Sequence, residues 1–210
     1  MTGIRGNYRH KACKCIGVTA HSGAVNKEFR HDAVMAMGHL LVNMDKHWDE
    51  WLARGEDLVF TMGVFKTAAS SAIAIIPGEV TFSIDMRSLS RDTLTRFHKL
   101  LEAECAVIAA DRGVKFEFDR LLVCEEANVD KDLADHLRNA AKRADIPVLD
   151  IASGAGHDSA VLANLGVPVT MIFVANQNGS HNPHERMKLD DFMLGTEVLA
   201  TSIMTYDEAK

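Results

Sequence analysis

Between Val34 and Trp51 the apolar residues Val34, Met37, Leu41, Met44, Trp48 and Trp51 recur at alternating spacings of three and four, which is one stripe of an amphipathic helix. The spacing predicts a helix from about Arg30 to Ala53, ended by Gly55, and Leu58 to Val64 then reads as a strand. From Glu79 to Arg87 the period changes to two. Val80, Phe82, Ile84 and Met86 alternate with Glu79, Thr81, Ser83, Asp85 and Arg87, so this strand has one core face and one polar face. Leu94, Phe97, Leu101, Cys105 and Ile108 mark a second amphipathic helix, closed by Gly113. Val114, Phe116 and Phe118 then alternate with Lys115, Glu117 and Asp119, and a weaker strand lies near Tyr8 to Val18.

Strand, helix, strand, strand, helix, strand is the order of the ferredoxin-like unit, an antiparallel sheet covered on one face by two helices. Residues 1–122 therefore read as one small α+β domain. One connection stands out: the 14 residues from Phe65 to Gly78 join strands that a hairpin of about two to five residues could join, and long loops in compact domains tend to be functional. Residues 123–210 read differently. A helix over about Val129–Ala144, a strand over Pro147–Ile151, a helix over about Asp158–Asn164, a strand over Val167–Phe173 and a last helix from about Asp190 give parallel α/β alternation. A parallel sheet needs both faces packed, and two strands do not cover three helices. The expectation is an incomplete α/β segment that needs more chain, or a partner, to close its core.

With 47% hydrophobic residues in 210, the chain has enough apolar material for a real core. The 29 acidic residues outnumber the 23 basic ones and leave a net charge of -6, which argues against nucleic acid as a partner. The N-terminus has no signal-like apolar region, and the longest apolar stretch, Gly166 to Ala175, falls far below the roughly 20 residues that span a bilayer. A soluble cytoplasmic protein without membrane contact is expected, with Cys13, Cys15, Cys105 and Cys124 reduced. Cys13-x-Cys15 beside His10 raises a soft-metal site, but no second cysteine pair completes a zinc constellation, and small buried strand residues explain the pair more simply.

Three segments carry candidate chemistry. Ser153-Gly-Ala-Gly-His157-Asp158 follows a predicted strand and opens a predicted helix, where free N–H groups favour an anion. A dinucleotide fingerprint fails there because its third glycine would fall at Ser159. A serine triad of Ser153, His157 and Asp158 lacks the G-x-S-x-G elbow. Gly179-Ser-His181-Asn-Pro-His184-Glu185 brings two histidines and a carboxylate to a loop after a parallel strand, the place where α/β sheets hold ligands. An exposed polar loop would read the same way. His21-Ser-Gly23, followed by Arg30 and Asp32, puts a histidine on a loop before the first helix, as a catalytic donor or merely a solvated side chain.

Taken together with Ile76-Pro-Gly-Glu-Val-Thr-Phe-Ser-Ile-Asp85-Met-Arg87, these segments resemble in order and spacing the N-carbamoyl-L-amino-acid hydrolase and allantoate amidohydrolase family. The resemblance implies a zinc-binding α/β catalytic domain with an inserted ferredoxin-like lid that also makes a homodimer. It implies a linear amide or ureido substrate and two divalent ions, zinc or else manganese, cobalt or nickel, whose bridging water attacks the carbon. His181 would be a metal ligand and Glu185 the group supporting its loop. His21, reaching from the other subunit's lid, would donate to the developing oxyanion. Arg87 would hold the substrate carboxylate, and His157 would line the substrate pocket.

Two departures bear on substrate and lid. The asparagine that usually lies 13 residues before the arginine is replaced by Ala74, and the Pro-Met that commonly follows the His-x-Gly motif is absent around Asn26-Lys27. The family's remaining metal ligands and its glutamate base lie upstream of the lid, so His181 is the one ligand expected in this chain. Two other readings stand beside the amidohydrolase: a non-catalytic dimerisation or binding module, and a neighbouring dipeptidase or N-acyl amino acid hydrolase.

Overall fold

The computed structural model describes residues 1–206. In chain order the elements are β1 (Gly3–Ile4), β2 (Gly6–Ile16), β3 (Ala20–His21), α1 (Ala33–Ala53), β4 (Val59–Thr61), β5 (Phe65–Thr67), β6 (Ile75–Ile76), β7 (Glu79–Ser88), α2 (Arg91–Arg112), β8 (Lys115–Glu117), β9 (Leu122–Cys124), β10 (Ala127–Asn128), α3 (Lys131–Arg143), α4 (Asp158–Asn164) and α5 (Leu189–Met204). They form two compact units, Gly6–Glu126 and Met1–Arg5 with Ala127 onward. The protein is a mixed α/β chain.

In the Gly6–Glu126 unit the sheet runs β4-β7-β2-β8, with β5 added along β7 and β9 along β2. All of these pairings are antiparallel. The strict alternation of β7 is realised residue by residue: Val80, Phe82, Ile84 and Met86 are buried, and their neighbours half-exposed. Helices α1 and α2 pack on each other and on β2 and β7, burying Met37, Leu40, Met44 and Trp51 together with Leu94, Phe97, Leu101 and Ile108 in one core. Their ends follow ordinary capping chemistry. Asp32 accepts the N–H groups of Val34 and Met35, Ser90 accepts that of Thr93, and Gly113 takes the left-handed conformation at φ 61° that a closing glycine permits. The first helix starts at Ala33 rather than Arg30 because Asp32 serves as its cap.

Strand β2 changes parity in mid-course. His10 pairs with Ile84 but Cys13 with Phe82, so Lys11 and Ala12 on one strand oppose Ser83 alone on the other, a β-bulge. Tyr8 and His10 are buried before the bulge, and Cys13 and Cys15 after it. Without the extra residue Lys14 would turn into the core.

Met1–Arg5 belong with the C-terminal unit through β1, which pairs antiparallel with β10, and through an isolated parallel bridge from Ile4 to Ser153. Helices α3 and α5 pack together around Ala134, Ala140, Ala141 and Val198. The strands expected at Pro147–Ile151 and Val167–Phe173 do not form ladders. Their backbones make isolated bonds, from Thr2 N–H to the Ile151 carbonyl, from Asp130 N–H to the Val169 carbonyl and from Val167 N–H to the Leu162 carbonyl, because among the described residues no neighbouring strand runs alongside to complete the pairing. Leu149 is 83% exposed, and Val148, Ile151, Val167 and Phe173 are exposed as well. Among the described residues no helix is long and apolar enough to cross a membrane.

Candidate functional site

The segment after β2 builds a tight loop around His21. Strand β3 pairs with β6, so His21 lies opposite Ile75, and Ser22 N–H bonds the carbonyl of Ala74. Arg30 fastens the other side: its guanidinium donates to the Val25 carbonyl at 2.9 Å and to that of Ser22. Within this frame the Gly23 N–H donates to His21 Nδ1 at 3.1 Å. A nitrogen that accepts is unprotonated, so the neutral ring carries its proton on Nε2. His21 is exposed, and that Nε2–H is the donor of its ring. Space for a side chain at Gly23 is scarce, since a Cβ there would meet His21 Cε1 at 3.2 Å. Gly23 and Arg30 act on the ring through the loop, which no spacing pattern in the sequence shows.

Arg87 sits near the far end of β7. Its Nη2 donates to Asp85 Oδ2 at 2.8 Å, and Arg9 from β2 donates to the same oxygen at 3.2 Å. Burial pushes the Asp85 carboxyl up, but the guanidinium groups of Arg87 and Arg9 outweigh it and hold the acid below its ordinary range. His21 follows the end where Ile16 pairs with Glu79, whereas Arg87 lies at the end where Gly6 pairs with Ser88. The eight residue-to-residue steps of extended chain from Glu79 to Arg87 span about 26 Å. Within one chain the fold does not bring His21 and Arg87 together.

In the C-terminal unit His157 stands at the cap position of α4. Its Nε2 lies 2.6 Å from Ser153 Oγ. That hydroxyl donates to the Ala155 carbonyl at 2.9 Å and accepts the Ala155 N–H, so the imidazole donates to it rather than drawing its proton. Ser153 is buried, and the pair is a turn-stabilising contact, not a nucleophile and base.

His181 occupies the left-handed region at φ 62°, as do Asn178 and Gly179 just before it, an uncommon conformation for histidine. Glu185 holds this turn: one carboxylate oxygen accepts the Asn176 amide at 3.0 Å and the other the backbone N–H of His181 at 3.1 Å. The Asn176 amide, the Ser180 hydroxyl and the His181 N–H together keep the Glu185 carboxyl below its usual value. The residues present do not fit a complete two-metal centre. Among the described residues, the one group of three or more His, Cys, Asp and Glu side chains close enough to share an ion is His10, Cys13 and Asp119, and neither His181 nor Glu185 belongs to it. A single imidazole does not fix an ion's geometry. A groove of about 630 Å³ in this unit lies between the unpaired segments, lined by Val148, Leu149, Ile151, Thr170, Ile172 and Phe173 among others. His157 and His181 are not part of its wall.

Residues 12–205 match the profile of Peptidase family M20/M25/M40. The chain is 26% identical over 209 residues to an N-carbamoyl-L-amino-acid amidohydrolase of Pseudomonas sp. (strain NS671), covering 98% of this chain and 49% of that protein. It is 29% identical over 194 residues to an allantoate amidohydrolase of Escherichia coli (strain K12), covering 92% and 46%. A crystal structure of an amidase of the hydantoinase/carbamoylase family from Burkholderia multivorans superposes with a TM-score of 0.88 at 27% identity, over 97% of this chain and 48% of that one. The chain spans about half the length of the curated relatives it matches.

Proposed function

Because the chain belongs to Peptidase family M20/M25/M40, we propose that it forms the lid and C-terminal portion of a metal-dependent amidohydrolase cleaving a linear C–N bond of an N-carbamoyl amino acid or related ureido acid. The Gly6–Glu126 unit is assigned to a lid and dimerisation domain, a shift from the expected 1–122 boundary because β1 pairs with β10, and Met1–Arg5 with Ala127 onward to part of the catalytic domain. The sheet order β4-β7-β2-β8 under two packed helices supports a ferredoxin-like lid. The relatives named as acting on N-carbamoyl amino acids and allantoate support the substrate class.

The observation that carries the reading is the hydrogen bond from Gly23 N–H to His21 Nδ1. It makes His21 Nε2–H a fixed donor on an exposed, braced loop, the requirement for stabilising an oxyanion as charge develops in the transition state. Arg87, with its guanidinium plane set by Asp85, binds the substrate carboxylate. The two act on one substrate from two protomers, since β7 holds them apart in one. His157 lines the substrate pocket. His181 contributes one ligand to the metal pair, and Glu185 fixes the backbone that presents it. Bound divalent ions of this kind polarise a carbonyl and lower the pKa of water. With Ala74 in place of asparagine, one amide contact to the substrate is missing, which widens the range of ureido and N-acyl acids to be tried.

The test is turnover by the full-length enzyme carrying this chain, over a panel of N-carbamoyl-L-amino acids, allantoate, ureidoglycolate, N-acyl amino acids and dipeptides. Hydrolysis of ureido substrates that falls on chelation and in His21→Ala supports the reading. Preferential dipeptide hydrolysis assigns the neighbouring activity, and a metal-free dimer without turnover assigns the binding module.

A further inference from the structure

The bulge of β2 gathers an unusual set of side chains in the Gly6–Glu126 unit. Asp119, in the connection between β8 and β9, turns one carboxylate oxygen to the bulge and accepts the N–H groups of Lys11 and Ala12 at 3.1 and 3.2 Å. Its other oxygen lies 3.2 Å from His10 Nδ1 and 3.8 Å from Cys13 Sγ. All three ligand atoms lie within 4.8 Å of one another. With ordinary zinc–ligand lengths, neighbouring donors in a tetrahedral centre stand about 3.3–3.8 Å apart. His10 and Cys13 are buried, and Asp119 reaches the surface with 31% of its side chain exposed.

We propose that His10 Nδ1, Cys13 Sγ and Asp119 Oδ1 form a binding site for one thiophilic divalent ion, zinc by preference, with water at the fourth position on the exposed side of Asp119. The site is separate from the His181 loop, and it stands whether or not the amidohydrolase reading does. The groups behind it have the arrangement a metal-bound histidine needs. His10 Nε2 faces His98 Nε2 at 3.0 Å, the two rings stack at 5.3 Å, and His98 Nδ1 lies 3.6 Å from Glu102. Two nitrogens at that distance share one proton. With Nδ1 on the ion, His10 carries its proton on Nε2 and donates it to His98 Nε2, and the His98 proton then sits on Nδ1, the side facing Glu102. Phe118 walls the His10 ring at 5.2 Å.

Ion binding releases the Cys13 thiol proton, while the His10 proton moves from Nδ1 to Nε2 and stays on the ring. Without the ion the Cys13 sulfur is a buried core residue, and ion binding displaces one proton from it. Cys15, two residues on, lies outside the cluster. An ion here ties the bulge to the β8–β9 connection, the two features that set the register of β2 in the sheet.

Cobalt(II) titration of the metal-free 210-residue chain tests the proposal. One equivalent should produce a thiolate-to-cobalt charge-transfer band, bleached by zinc, lost in Cys13→Ser and retained in Cys124→Ser. No band, or a band that survives Cys13→Ser, overturns it. Because Cys13 is fully buried and the serine variant can fail to fold, X-ray absorption of the zinc-loaded wild-type chain supplies a reading that needs no variant. One sulfur at about 2.3 Å supports the site, and a shell of nitrogen and oxygen alone overturns it.

Discussion

The backbone N–H of Gly23 donates to Nδ1 of His21 at 3.1 Å, and this bond leaves Nε2 as the proton-bearing nitrogen of the neutral ring. A Cβ at position 23 would stand 3.2 Å from His21 Cε1, so the smallest substitution bears directly on the ring.

Gly23→Ala should therefore turn the imidazole without unfolding the domain. The expected result is a fall in kcat of at least about tenfold with KM little changed, since a displaced donor is lost mainly in the transition state. Steady-state kinetics beside a thermal melt checks it, and an unchanged kcat removes His21 from the oxyanion role.

His21→Ala and Arg87→Ala offer a sharper test of geometry. Each homodimer should be nearly inactive. Mixing and reassociation should restore about a quarter of wild-type activity, because half the dimers are mixed and each of these has one site with both residues intact. No recovery would mean that both residues act from the same chain.

Glu185→Gln should loosen the His181 turn, because the carboxylate that accepts the His181 N–H becomes a weaker acceptor. A loss of about 10- to 100-fold in metal affinity is expected from removing a partner of this kind, read by competition with a chelating dye. The lowered Glu185 value fixes the sign of the pH effect: its support is complete above the ordinary glutamate range and is lost as pH falls through the lowered value.

Asp119→Ala should destabilise the metal-free Gly6–Glu126 unit by about 1–2 kcal/mol through the lost bonds to Lys11 and Ala12 N–H. Burial raises the Asp119 carboxyl, but the Lys11 and Ala12 N–H groups and His10 outweigh it and the net shift is downward. Its contribution is present at neutral pH and disappears as pH drops through the lowered value, so wild type and variant should converge in acid denaturation.

Phe97→Ala should cost about 3–5 kcal/mol. Phe97 is fully buried, with edge contacts to Trp51 at 5.1 Å and Phe60 at 5.6 Å. Chemical denaturation followed by tryptophan fluorescence reads this directly.

Much of the first unit was legible in the sequence because its elements are half-buried. A face that meets the core on one side and water on the other writes its period into the residues, as β7, α1 and α2 do. Strand β2 reads weakly for a local reason: the extra residue between His10 and Cys13 switches the buried parity halfway, so neither parity holds throughout. The short strands β3, β5 and β6 inside the Phe65–Gly78 connection and after β2 are too short to show any period. The segments Pro147–Ile151 and Val167–Phe173 have strand composition but form no ladder, because a strand exists only with a neighbour to bond.

The sequence by itself determined the half-buried strands and helices of the first unit, the C-terminal ends of its two helices, and the identities of His21, Arg87, His157, His181 and Glu185 as groups able to donate, bind or ligate. Tertiary structure decided what each can do. It set the His21 tautomer through Gly23, gave the Ser153 proton to a carbonyl instead of to His157, separated His21 from Arg87 by the length of β7, and brought Asp119 to the bulge beside His10 and Cys13. Periodicity is a local consequence of burial, while a tautomer, a distance along a sheet and a cluster closed over more than 100 residues of chain arise only when distant segments meet.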